Sequence, residues 1–85
     1  MANAALIIPF PSERRRSFIR RQAVRMASLS TAAAEQHLAE QLRVQARTMR
    51  RKGIVDDRIE HELRHLETAI RLDAARANRT SGGVL

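Results

Sequence analysis

Two segments with the same rhythm flank a single glycine, and that arrangement restricts this chain more than any other feature. Long or apolar side chains recur at Leu38, Leu42, Gln45 and Met49, and again at Ile59, Leu63, Leu66 and Ile70, each time with spacings of four, three and four. Such a repeat lines four side chains along one narrow seam of an α-helix. Between the seams stand Arg50, Arg51, Lys52 and Gly53. The three cations complement the carbonyl end of a helix dipole, and the glycine supplies the left-handed residue beyond it. Met49 and Ile54 then occupy the two positions that touch in a Schellman motif. Asp56 reads as the cap of the next helix, with Asp57 in its first turn. So short a connection makes the two helices antiparallel. Pairing across the turn sets Met49 near Ile59, Gln45 near Leu63, Leu42 near Leu66 and Leu38 near Ile70.

The residues before this hairpin divide at Pro9 and Pro11, which forbid a regular helix and bias Ile8 and Phe10 toward extended backbone. Ser12 then reads as an N-cap and Glu13 as a first-turn acid of another helix. Its apolar positions are Phe18, Ile19, Ala23, Met26 and Ala27, with Arg14, Arg21 and Arg25 crowding another flank. Ser30 caps the helix after it. The expected fold is all-α: an antiparallel two-helix hairpin (about 31–52 and 57–78) with a preceding amphipathic helix (about 13–28). A single domain, 12–78, lies between an extended apolar tail, 1–11, and a disordered C-terminal tail, 79–85. A two-helix seam leaves most of each apolar stripe wet. The first helix, a second copy of the chain or both must cover it, and a homodimer is expected.

Eighty-five residues make one domain with no room for a deep substrate cavity. Cysteine is absent, which excludes disulfides and cysteine zinc sites and fits a reducing compartment. No apolar run approaches the roughly 20 residues of a membrane span, and Leu6-Ile7-Ile8 is too short for a signal-peptide core. A soluble, cytoplasmic protein is expected. The net charge is +7, and Lys52 is the only lysine. GC-rich codons inflate arginine and alanine without functional demand, so the distribution of charge is more telling than its total. Residues 1–30 carry six arginines against Glu13 alone, whereas residues 53–85 are slightly acidic.

One stretch imitates an enzyme. His61-Glu62-Leu63-Arg64-His65 matches the H-E-x-x-H pattern, in which two histidines one helical turn apart chelate zinc and the glutamate acts as general base. A catalytic zinc needs a third protein ligand, and His37 falls opposite about residue 71, roughly 9 Å along the axis from His65 at 1.5 Å per residue. The extended pattern would place glycine and histidine where this chain has Thr68 and Arg71. The heptad seam also turns both imidazoles outward, away from any dry cleft. These residues are therefore expected to be exposed and without metal. With no Gly-rich phosphate loop and no thiol, the chain is expected not to be an enzyme and to need no cofactor.

Two surfaces remain for binding. Arg14, Arg15, Arg16, Arg20, Arg21 and Arg25 spread around the first helix, a distribution suited to phosphate backbones or acidic protein and not to base-edge reading. Phe10 and Phe18 are the only aromatics, too few for a platform on which single strands stack. Lipid binding by the same helix is the weaker reading. Leu6, Ile7, Ile8 and Phe10 form an apolar strip that either docks on a partner or folds back over the helices.

These segments resemble a family of short bacterial proteins of unknown function, met chiefly in alphaproteobacteria. The resemblance rests on Ile7-Ile8-Pro9-Phe10-Pro11, Phe18-Ile19-Arg20-Arg21-Gln22-Ala23, Ala32-Ala33-Ala34-Glu35-Gln36-His37-Leu38, Arg51-Lys52-Gly53-Ile54 and Leu66-Glu67-Thr68-Ala69-Ile70-Arg71. It implies a small cytoplasmic bacterial protein and carries no activity with it. The expected function is that of an accessory or adaptor protein, holding a macromolecular partner through the arginine-rich helix and the apolar tail. Non-specific nucleic-acid binding is the alternative, and a zinc-dependent hydrolase the remote one.

Overall fold

Both boundaries of the second helix can be traced to local chemistry. The computed structural model describes residues 12–83, which form α1 (Ser12–Ala27), α2 (Thr31–Arg51) and α3 (Asp56–Gly83). The tail 1–11, with the docking residues Leu6, Ile7, Ile8 and Phe10, lies outside the described residues, as does the side chain of Ser12. Ser30 caps α2: its extended backbone directs the hydroxyl to accept from the Ala33 amide at 3.2 Å, while its carbonyl accepts from Ala34 at 2.8 Å. At the other end, Ile54 N donates to Met49 O at 3.1 Å and Gly53 N to Arg50 O at 2.9 Å, the pair of bonds that defines a Schellman turn. Ile54 also packs beside Met49 and Ile59, closing the turn on an apolar contact.

Gly53 sits at φ +82°, and a Cβ built there would meet nothing within 4 Å. The cost of any other residue is therefore conformational and not steric. Gly53→Ala should lower unfolding free energy by about 1 kcal/mol, read as a lower urea midpoint at unchanged slope. An unchanged midpoint would mean that the turn tolerates a right-handed residue.

Two boundaries differ from the sequence expectation. The first carbonyl of α3 to accept an intrahelical bond is that of Val55, from Ile59 N at 3.0 Å, so Val55 holds the capping position and Asp56 opens the first turn beside Asp57. Both carboxylates still face the positive end of the dipole. The far end of α3 runs to Gly83, five residues past the expected Asn78, so the segment expected as a disordered tail is helical as far as Gly83. Arg79, Thr80 and Ser81 include no helix breaker, so the helix propagates into them from an established end.

α1 and α3 run parallel, with α2 antiparallel to both. Along α3, Arg15 meets Glu62, and Met26 shares a groove with Ala74 and Asn78. Along α2 the order reverses, with Arg14 beside Lys52 and Gln22 beside His37. The main core joins Phe18, Ala23 and Met26 of α1 to Ala34 and Leu38 of α2 and to Leu66, Ile70 and Ala74 of α3. A smaller cluster of Ala46, Met49 and Ile59 continues it toward the turn. These groupings agree with the expected register, with Leu38 beside Ile70 at one end and Met49 beside Ile59 at the other.

The seams themselves are rotated by about one position. Ala46 is buried where Gln45 was expected, and Glu62 is buried while Leu63 is only partly so. The cause is α1, which lies closer along α3 than α2 does. Ala23 and Ala74, both buried, leave room for that approach. Because α1 covers the hairpin, the core closes within one chain, and an uncovered seam no longer requires a second copy. No helix among the described residues is long and apolar enough to cross a membrane.

Candidate partner-binding surface

Ion pairing sorts the charges of the bundle into two populations. Seven carboxylates are occupied. Glu40, Glu60, Glu67 and Asp73 pair within their own helices, Asp56 reaches Arg50 across the turn, Glu35 bridges to Arg71, and Glu62 takes Arg15. The Glu35–Arg71 contact is bidentate, at 2.7 and 2.8 Å, and ties α2 to α3. Hydrogen bonds from the guanidinium hold the Glu35 carboxyl below its ordinary range, and Arg71 is raised in turn. Both partners are exposed, so this pair fixes register more than it stabilises.

The second population is on α1. Arg14, Arg16, Arg20, Arg21 and Arg25 are exposed, and none forms an ion pair among the described residues. Helical spacing divides them between two grooves. Arg16 and Arg20 border the α1/α3 groove with Leu72, Asp73 and Arg76. Arg14 and Arg21 border the α1/α2 groove near the turn with Lys52, and Arg25 continues that side beside Glu40 and Arg43. Five cations thus span about 16 Å of helix at 1.5 Å per residue, and the carboxylates nearest them, Asp73 and Glu40, pair with Arg76 and Arg43 instead.

Arg15 belongs to neither group. It was expected in the binding set, but its side chain is about three-quarters buried and its Nη1 lies 2.7 Å from Glu62 Oε2. That oxygen is charge-paired yet makes no aligned hydrogen bond among the described residues. Arg15 is a structural tie between α1 and α3.

The same contact removes the middle of the zincin pattern. Glu62 points into the bundle, whereas His61 and His65 are exposed and stack on each other with ring centroids 4.5 Å apart. The carboxylate that would act as base is therefore buried against α1 and held by Arg15, while the two imidazoles stay at the surface. His37 is on α2, with its Nε2 2.6 Å from Gln22 Oε1 of α1. Among the described residues no three histidines or carboxylates converge as a metal site.

Sequence reasoning missed Gln45, Thr48 and Lys52, which share a groove with Arg14 and Arg21. The available signal was Gln45 itself, a polar residue in an otherwise apolar repeat, which the rotation of α2 brings to the groove wall. Leu72 and Val24, both more than half exposed, mark the apolar part of the opposite, α1/α3 side.

No curated protein and no solved structure matches the chain. The profile of DUF6074, a family of unknown function, matches residues 3–83, nearly the whole sequence. The chain therefore belongs to this family.

Proposed function

We propose that this is a non-enzymatic accessory protein of the bacterial cytoplasm that holds an acidic macromolecular partner against the basic face of α1. The observation behind this reading is the segregation of charge: the carboxylates of α2 and α3 are largely spent on their own arginines, while five arginines of α1 remain unpaired among the described residues. Unpaired like charges on one helix repel one another, and an acidic surface relieves that repulsion. Such a face steers encounter and selects sign more than it supplies raw affinity. The apolar tail, Leu6 to Phe10, is proposed as a second contact.

The experiment is affinity capture from the native host at moderate salt, with wild type beside a variant in which Arg16, Arg20 and Arg25 are changed to Gln. Wild type should retain a partner that the variant loses. Recovery of the chain alone would overturn the reading. Mass determination on the same preparation tests self-association, for which Val24, Val55 and Leu72 are the exposed large apolar side chains among the described residues; a mass near 9.6 kDa would end that proposal.

Nucleic-acid binding is the second reading, favoured by the spread of the same five arginines over both grooves. About five phosphate contacts would weaken duplex binding on the order of 500-fold between 50 and 200 mM salt. A mobility shift at these two concentrations separates this reading from an acidic protein partner.

A further inference from the structure

At the end of the bundle where α1 starts and α2 stops lies an open recess of about 250 Å³. Arg14, Arg21 and Lys52 surround it, Gln45 and Thr48 form the wall between them, and Phe18 and Met49 make the floor. No carboxylate lines it among the described residues. Neighbouring grooves differ in this respect: Asp73 accompanies Arg20 and Arg76, Glu40 accompanies Arg25 and Arg43, and Glu35 accompanies Arg71. The side chains of Gln45 and Thr48 make no hydrogen bond to another described residue, so both keep their donors free. At the end of α2, cations and capping bonds offset the negative end of the helix dipole. The carbonyls of Thr48, Met49 and Arg50 already accept from Lys52, Ile54 and Gly53.

Three cations and two neutral donors around a small hollow form a site for a compact, multiply charged oxyanion. The floor supports the same reading. Phe18 and Met49 are 4% and 3% exposed, so no aromatic face is offered to a nucleobase. We infer that this recess binds a phosphoryl group, either free inorganic phosphate or the phosphate of a small monoester whose remainder stays outside. Arg14, Arg21 and Lys52 neutralise it, while Thr48 and Gln45 donate to its oxygens. The site needs no macromolecule and is separable from the diffuse face proposed above.

The test is a ¹H–¹⁵N titration of the full chain with inorganic phosphate at constant ionic strength, followed by AMP with adenosine as control. Saturable shifts are expected at the amides of Thr48, Met49 and Lys52 and at the side-chain Nε–H of Arg14 and Arg21. AMP should shift the same signals and adenosine should not. Tighter binding of AMP identifies an esterified ligand, and equal binding identifies free phosphate. Arg21→Gln and Lys52→Gln should each weaken binding about tenfold, as loss of a charge-assisted hydrogen bond does. Arg20→Gln carries the same charge change in the α1/α3 groove, outside the recess, and should leave the affinity within about twofold. Linear shifts spread along α1, or equal losses in Arg20→Gln and Arg21→Gln, would overturn the inference. The partner-capture variant at Arg16, Arg20 and Arg25 leaves the recess intact, so failure of one proposal is distinguishable from failure of the other.

Discussion

Leu66→Ala should lower the unfolding free energy by about 3–4 kcal/mol, which is the cost of deleting a large side chain that cannot be compensated by collapse. Leu66 is fully buried, in the cluster that joins Phe18, Leu38 and Ile70 from three helices. A cavity there opens every pairwise interface at once. An 85-residue domain has on the order of 4–13 kcal/mol of total stability. The variant should therefore lose a substantial share of its stability, with a urea midpoint lowered by about a quarter or more at an unchanged slope. Leu72→Ala supplies the comparison. It removes the same atoms from the same helix, but Leu72 is 55% exposed, and the loss should stay below about 0.5 kcal/mol. Similar losses in the two variants would contradict the placement of the core.

Arg15→Ala should cost about 2–3 kcal/mol, far more than loss of any other arginine of α1. Removing one partner of a buried ion pair leaves the other charge uncompensated, at roughly 3–5 kcal/mol when both are deeply buried. Arg15 keeps 26% side-chain exposure, so water relieves part of that cost. Glu62, at 7%, receives little such relief. The double change Arg15→Met with Glu62→Leu should return stability to within about 1 kcal/mol of wild type or above it, since an apolar pair of similar volume avoids both desolvation penalties. Denaturant unfolding of the three chains checks the ordering. If Arg15→Ala matched Arg16→Ala, the contact between α1 and α3 would not be a structural one.

Much of this could be read from residues alone because the signals are local. The glycine and the three cations before it specify a C-terminal turn whatever surrounds them, and Gly53, Met49 and Ile54 make the expected bonds and contact. Ser30 caps α2 for the same reason. The four-three-four repeat sets the register of α2 on α3, since a shift by one turn would expose Leu38 or Met49 to water. The outward orientation of His61 and His65 follows from that seam.

What could not be read depends on where α1 lies. Periodicity shows that a helix has an apolar face but not which neighbour that face meets, and α1 approaches α3 more closely than the hairpin helices approach each other. That placement rotates the seams, buries Glu62, converts Arg15 from a binding candidate into its counterion, and carries Gln45 to the wall of a basic recess. Residues 15 and 62 are far apart in sequence and carry no pattern that links them. The length of α3 was also hidden, because Thr80, Ser81 and paired glycines resemble a tail unless an established helix propagates into them.

By itself, the amino-acid order determined three helices, one turn and the pairing of two seams, because capping, dipole complementarity and side-chain period act within a few residues. Only the tertiary structure decided which charges are spent on ion pairs within the bundle and which stay unpaired among the described residues. Ion pairing depends on distances of a few ångströms between helices, and no local rule sets those distances.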